Sequence, residues 1–357
     1  MAPITHEIDP EADTIITLKN ASAIFATWDF DFENTSSAAG ALSSEVYNEN
    51  DISESSDRSG EKKEKDIYFR VSSRHLALAS PWFNRALAKE KWSESNRDKG
   101  DGLFHLTTSD WDAEAFLILL SIFHVRHRDV PKELSLELLA KIAVLVDYYE
   151  CGETVELFSE MWISSAKAKI MHSLVYDQNL VLWMWVSWVF GVDDIFTKTT
   201  VTAIRQSKES LNTLGLPIPA MVYAEIDTKR NLAIEDVVDK LHKLLDSFRD
   251  SSYLCPVAED LSFQCGAYQL GLLTKTLDSM ALLSPRPEPP FANLSLENLN
   301  LTLSNFKSPK WSPYMARVKH QSYHTCDVGQ TIREMVGCVY QTVTGLDLSK
   351  IRDRTTE

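Results

Sequence analysis

The sequence predicts an α+β fold in which a small sheet packs with a helical cluster and is followed by a mostly α-helical C-terminal region. Three observations predict it. Two short segments rich in β-branched and aromatic residues, 13–18 and 66–71, precede a series of segments whose apolar residues recur at three- and four-residue spacing. Strands gathered ahead of helices are the α+β order. The composition, 44% hydrophobic and 24% charged, is that of a chain able to bury a core, and 357 residues favour more than one domain.

The first strand is Asp13-Thr14-Ile15-Ile16-Thr17-Leu18. From Asn34 to about Lys65 the chain turns to Ser, Asn, Glu, Asp and Lys with scarcely any large apolar residue, so burial cannot offset the entropy of ordering and a disordered insertion is expected. The alternating segment Asp66-Ile67-Tyr68-Phe69-Arg70-Val71 is a second strand, and Ser72-Ser73 has the chemistry of an N-cap for a helix over 74–79. Ser80-Pro81 interrupts that helix, and Pro81 suits the first turn of another carrying Trp82, Phe83, Ala86 and Leu87. Leu103-Phe104-His105-Leu106 is a third strand. Asp110 and Asp112 flank Trp111 at the start of a helix over 111–125; they read as capping carboxylates rather than a catalytic pair, with Asp110 as the cap. After Pro131, Ser135 opens a helix with Leu138, Leu139, Ile142, Leu145, Val146 and Tyr149 on one face, and Gly152 separates it from a helix striped with Val155, Phe158, Met161 and Trp162.

Leu180 to Phe190 is apolar on every side but far shorter than the ~20 residues a bilayer span requires, so burial within the protein is expected rather than membrane insertion. Beyond Leu216-Pro217-Ile218-Pro219 a long amphipathic helix runs to about Arg249, with Ile226, Ala233, Val237, Leu241, Leu244 and Phe248 on its apolar stripe. Pro285, Pro287, Pro289 and Pro290 mark a rigid connection, and the last ten or so residues are expected to fray.

Acidic residues outnumber basic ones by 51 to 36, a net charge of −15, and Lys62, Lys63 and Lys65 are interleaved with Glu61, Glu64 and Asp66. Such a surface repels phosphate backbones, so nucleic acid is not an expected direct partner. Five scattered cysteines without a C-x-x-C pair, and a start lacking basic and apolar signal features, fit a reducing compartment, cytoplasmic or nuclear. The sequence carries neither a phosphate-binding glycine loop, a G-x-S-x-G elbow nor an H-E-x-x-H helix, and Ser164-Ser165-Ala166-Lys167 matches S-x-x-K without the companion motifs. No catalytic residue and no cofactor are expected. The metal-ligating residue types that group in the chain are Cys255, Cys265, His320, His324 and Cys326; Cys255, Cys265, His324 and Cys326 have the composition of a tetrahedral zinc site. Nine residues separate the first two, against about two to four in familiar zinc motifs, so the expected role is small buried apolar residues, with zinc as the alternative.

Residues 69–167 resemble a BTB/POZ domain, in particular the fungal BTB proteins. The resemblance rests on Phe69-Arg70-Val71-Ser72-Ser73-Arg74-His75-Leu76, Ala79-Ser80-Pro81-Trp82-Phe83, Leu103-Phe104-His105-Leu106 with Asp110-Trp111-Asp112, the segment Leu139 to Tyr149, and Met161-Trp162-Ile163. It continues weakly through Leu182 to Phe190, Leu216-Pro217-Ile218-Pro219 and Leu270-Gly271-Leu272-Leu273-Thr274-Lys275. It implies that residues 1–33 carry the first strand of the BTB sheet, 34–65 an insertion, 66–168 the BTB core, 169–284 a helical domain, and 285–357 a proline-rich connection and a C-terminal segment packed on that domain. It also implies a scaffold or adaptor rather than an enzyme, with protein partners, self-association as a homodimer, and docking to a cullin ubiquitin-ligase scaffold. Trp92 and Glu94 fall where cullin-binding members place an apolar residue and a glutamate. The alternatives are a nuclear co-regulator acting through other proteins, and a metal- or ligand-dependent enzyme in the C-terminal region.

Overall fold

The computed structural model describes residues 4–21, 24–28, 66–88, 96–170, 174–312 and 323–355. The insertion expected at 34–65 lies outside the described residues, as do Trp92, Glu94 and His320. The chain forms two units. The first comprises Met1–Ser173, Asp177–Gly191 and Leu214–Pro217; the second comprises Leu174–Tyr176, Val192–Thr213 and Ile218–Glu357.

The first unit is α+β. Its strands are β1 (Ile4–Glu7), β2 (Thr14–Lys19), β3 (Ile67–Val71) and β4 (Phe104–Ser109), in the order β1-β3-β2-β4. Strand β3 is antiparallel to β2 and parallel to β1, and β4 is parallel to β2. Alternation decides which face is buried: Ile16 stands opposite Phe69 and Leu106, and all three are inside, as are Leu18 and Val71. Strand β1 escapes a pattern-based reading because it is a short edge strand with exposed side chains, fastened by its ladder and by His6 stacked on Phe69 at 5.1 Å.

Helices α1 (Ser73–Ala79) and α2 (Pro81–Leu87) follow β3. Ser72 occupies the N-cap position of α1 but its hydroxyl caps nothing; the carboxylate of Asp13, before β2, accepts from both the Ser73 amide and hydroxyl at 2.7 Å. Ser80 caps α2 as expected, accepting from the Phe83 amide with Pro81 in the first turn. The helix α3 (Ala113–Phe123) is capped by Asp112, which accepts from the amides of Glu114 and Ala115, and not by Asp110. Asp110 lies in the left-handed region at φ 66° and takes hydrogen bonds from Asn20 and Ser109, so it shapes the turn after β4. Ser135 caps α4 (Leu136–Tyr148), and α5 spans Gly152–Ile170.

Tyr149 joins these pieces. Its ring stacks on Phe83 at 4.7 Å and meets Trp82 edge-on; its hydroxyl accepts from Trp111 Nε1 at 3.1 Å, and its carbonyl accepts from the Ser80 hydroxyl. Burial pushes the phenol up to about 12, so it stays protonated. The apolar helix α6 (Gln178–Phe190) has Leu180 to Ser187 buried and packs against α4 and α5. This shifts the boundary expected at 168/169, since a helix apolar on all sides needs cover all round and obtains it inside the first unit. No helix among the described residues is long and apolar enough to cross a membrane.

The second unit is helical: α7 (Asp193–Gln206), α8 (Ala220–Arg249), a 3₁₀ turn at Glu259–Leu261, α9 (Ser262–Ser279), α10 (Leu296–Ser304), α11 (Val328–Thr342) and α12 (Leu348–Thr355). The expected stripe of α8 faces a core formed with α9, α10 and α11, in which Val237, Leu241, Leu273, Leu277, Leu299, Ile332 and Val336 are buried. The described end of the chain, through residue 355, does not fray as expected. Leu348 and Ile351 of α12 are buried, Leu346 exchanges hydrogen bonds with Thr197 and Thr200 on α7, and Gly345 lies so close to the Thr197 carbonyl that any Cβ would overlap it.

Arg230, in α8, is 1% exposed. Its guanidinium donates to the carbonyls of Ser207, Lys208, Pro290, Phe291 and Leu294 at 2.8–3.0 Å, so one side chain holds the end of α7 and the turn leading to α10. Arg230→Met removes the guanidinium from all five, leaving only the Lys208 and Phe291 carbonyls with backbone donors, from Asn293 and Leu294, and is expected to destabilise the second unit by about 3 kcal/mol, read as a lowered chemical-denaturation midpoint. Arg230→Lys, with three donors in a different geometry, is expected to recover only part of the loss.

Candidate functional site

Cys255, Cys265, His324 and Cys326 come together in the second unit, their ligand atoms all within 4.8 Å of one another. Three chain segments deliver them. Helix α8 ends at the cap residue Asp250, whose carboxylate accepts from the Ser252 amide, while its carbonyl accepts from the Tyr253 amide. That turn leads to Cys255, whose amide donates to the Ser262 hydroxyl at 2.9 Å, tying the loop to the first residue of α9. Cys265 stands one turn into α9, facing the same point. Tyr253 reaches it, with its hydroxyl 3.5 Å from Cys265 Sγ, and its ring lies against Gly266, where a Cβ would sit 3.0 Å from it. The third segment is the extended approach to α11. The His324 amide donates to the Trp311 carbonyl at 2.9 Å, the two rings lie 4.8 Å apart, and Gln269 Nε2 holds the Cys326 carbonyl at 3.1 Å. Asp327 then caps α11.

Within the cluster, Cys255 Sγ is 3.3 Å from His324 Nε2 and 3.5 Å from Cys326 Sγ. The cysteines are free thiols, since a disulfide closes to about 2.05 Å. Cys255, Cys265 and His324 are buried and Cys326 is half-buried. Burial works against a thiolate at Cys255, but the amides of Ala258, at 3.4 Å, and Val257 outweigh it and hold this thiol below its usual range. Burial and the neighbouring Cys255 push Cys326 up to about 12, and burial likewise raises Cys265. Three sulfurs and one imidazole are a soft donor set of the kind that takes zinc. Cys151 and Cys338 lie apart: Cys151 is buried, its thiol pushed up to about 12 by desolvation, and Cys338 is exposed.

A second group, Asp9, His75 and His124, lies in the first unit with ligand atoms within 4.8 Å. His124 is already committed there: Nε2 accepts from the Ser72 amide at 2.9 Å and Nδ1 lies 2.8 Å from the Leu120 carbonyl, so the neutral ring bridges the β3–α1 turn to α3. A cleft of about 330 Å³ lined by His6, Glu7, Glu114, Arg126 and Asp129 also opens on this unit, and its Arg126 is bonded to the Glu7 carbonyl.

Comparison of the chain with protein-family models, curated proteins and solved structures finds no match to any of them.

Burial lowers the His124 imidazole from its ordinary value of 6.5; neighbouring His75 and Arg126 act in the same direction, while the Leu120 carbonyl and Asp9 oppose it. The unfolded chain therefore binds the proton that the folded chain excludes. The stability from this group is complete above about pH 6.5 and is lost as the pH falls below it. Denaturation midpoints of the first unit are expected to drop between about pH 7.5 and pH 5.5, and His124→Gln, which titrates nowhere in that range, is expected to flatten the slope.

Proposed function

We propose that the chain is a protein–protein interaction scaffold that acts through its first unit in the manner of a BTB/POZ domain. The observation that carries this reading is the run β2, β3, α1, α2, β4, α3, α4, α5, in which the strand pair is antiparallel and the third strand joins it in parallel. The segments that carry the resemblance fall on the joints of that run. Phe69 to Leu76 spans β3 into α1, Ala79 to Phe83 spans the break between α1 and α2, and Leu139 to Tyr149 supplies the inner face of α4.

The surface supports the same reading. Leu78 on α1 is 88% exposed, and Leu157 on α5 is 79% exposed, with Met161 one turn further along. Thr154, near the start of α5, bonds the Ala79 carbonyl and brings the two helices together there. Large aliphatic side chains left in water gain about 1.5–3 kcal/mol each when a partner covers them. The partner is a second copy of the chain or a cullin scaffold, and the free thiols suit a reducing compartment, cytosol or nucleus.

Titration of the full chain with a purified fungal cullin scaffold is expected to give a Kd on the order of 1 μM. Trp92→Ala with Glu94→Ala is expected to weaken it about tenfold or more without changing the circular dichroism. Absence of binding by the wild-type chain overturns the cullin arm. A monomer by light scattering across the concentration range overturns the self-association arm, and both results together overturn the scaffold reading.

A further inference from the structure

We propose that Cys255, Cys265, His324 and Cys326 hold one zinc ion as a closed Cys₃His site that clips the approach to α11 onto the connection between α8 and α9. The inference stands apart from the scaffold reading, because every ligand belongs to the second unit.

Geometry comes first. With Zn–S bonds of about 2.3 Å, the edge of a tetrahedron is about 3.8 Å. The separations of 3.3 Å and 3.5 Å from Cys255 fall a few tenths of an ångström short of that edge, and every other pair lies within 4.8 Å, so small side-chain shifts accommodate a central ion. Cysteines that merely fill a core need no imidazole among them. Here His324, 9% exposed, turns Nε2 toward the Cys255 sulfur instead of toward a carbonyl or carboxylate.

The surroundings have the character of a supporting shell. Amides of Ala258 and Val257 point at the Cys255 sulfur, the Tyr253 hydroxyl reaches Cys265, and Ser262 and Gln269 anchor the backbone of Cys255 and Cys326. Trp311 covers the His324 ring and is itself packed on Tyr268, whose hydroxyl bonds the Pro309 carbonyl. Four protein ligands leave zinc no open position for water or substrate, so the site is structural and the metalloenzyme alternative is set aside for this cluster. Its mechanical effect follows from ligand spacing. Cys255 and His324 are 69 positions apart, and cross-linking them through the metal removes much of the freedom of the unfolded chain between them.

The test uses the full chain, expressed with zinc in the medium and purified without chelator. Elemental analysis is expected to give about one zinc per chain, falling at least fivefold in Cys265→Ser and Cys326→Ser and staying unchanged in Cys338→Ser, which alters an exposed thiol outside the cluster. Stripping the metal is expected to lower the thermal midpoint by about 5 °C or more, with recovery on adding zinc. Should the serine variants fail to fold, cobalt(II) added to stripped wild-type chain is expected to give the visible bands and sulfur-to-metal charge transfer of tetrahedral thiolate coordination. Wild-type protein with less than about a tenth of an equivalent of zinc and no such cobalt spectrum, or Cys326→Ser retaining its zinc, overturns the proposal.

Discussion

The second unit is organised around a charge that sequence logic places at the surface and the fold places inside. A guanidinium removed from water is tolerated only when its five N–H groups all find acceptors, and Arg230 finds them in two stretches of backbone and in Asn231 Oδ1. Ser207 is the C-cap of α7, where helix geometry leaves carbonyl oxygens unpaired and partly negative. Pro290, Phe291 and Leu294 lie in the turn ahead of α10, which has no ladder of its own. One cation therefore joins carbonyls of two separate stretches, of which those of Lys208 and Phe291 also accept from the Asn293 and Leu294 amides, and it fixes α7 and α10 against α8. Helix α8 extends about 28 Å beyond Arg230 to its C-terminus, its apolar stripe carrying the core with α9, α10 and α11. Past that end, the thiol–imidazole cluster gathers the loop after α8, the first turn of α9 and the approach to α11. Polar gathering points near the two ends of an apolar helix pack thus account for how long connections are held in place.

In the first unit the corresponding element is Tyr149, at the end of α4. Its ring, hydroxyl and carbonyl serve α2, the β4–α3 turn and the break between α1 and α2 in that order. A residue used in three ways cannot move without disturbing all three.

Much of this was legible in the residues. Alternation at Ile67–Val71 and the three- and four-residue spacing of Leu139 to Tyr149 state local geometry directly, and α8 was traceable from Pro219 to Arg249 because its stripe is long. What escaped was decided by distant partners. Asp13 rather than Ser72 serves the start of α1, Asp112 rather than Asp110 caps α3, and α12 is ordered because Gly345 permits a close approach to Thr197. The buried role of Arg230 left no local trace, since charge spacing along α8 reads as an amphipathic helix. For the cysteines, residue types named four side chains that the fold brings together, while spacing argued against it; the nine residues between Cys255 and Cys265 contain a bend and a 3₁₀ segment that return the two sulfurs to one place.

The scaffold reading and the metal site belong to different units and rest on different observations, but the chemical commitment of the account lies in the four-ligand cluster. X-ray absorption at the zinc edge of the full-length protein tests it most directly. The account predicts a first shell of three sulfurs at about 2.3 Å and one nitrogen at about 2.0–2.1 Å. A shell of nitrogen and oxygen alone, or protein without an absorbing zinc, would contradict it.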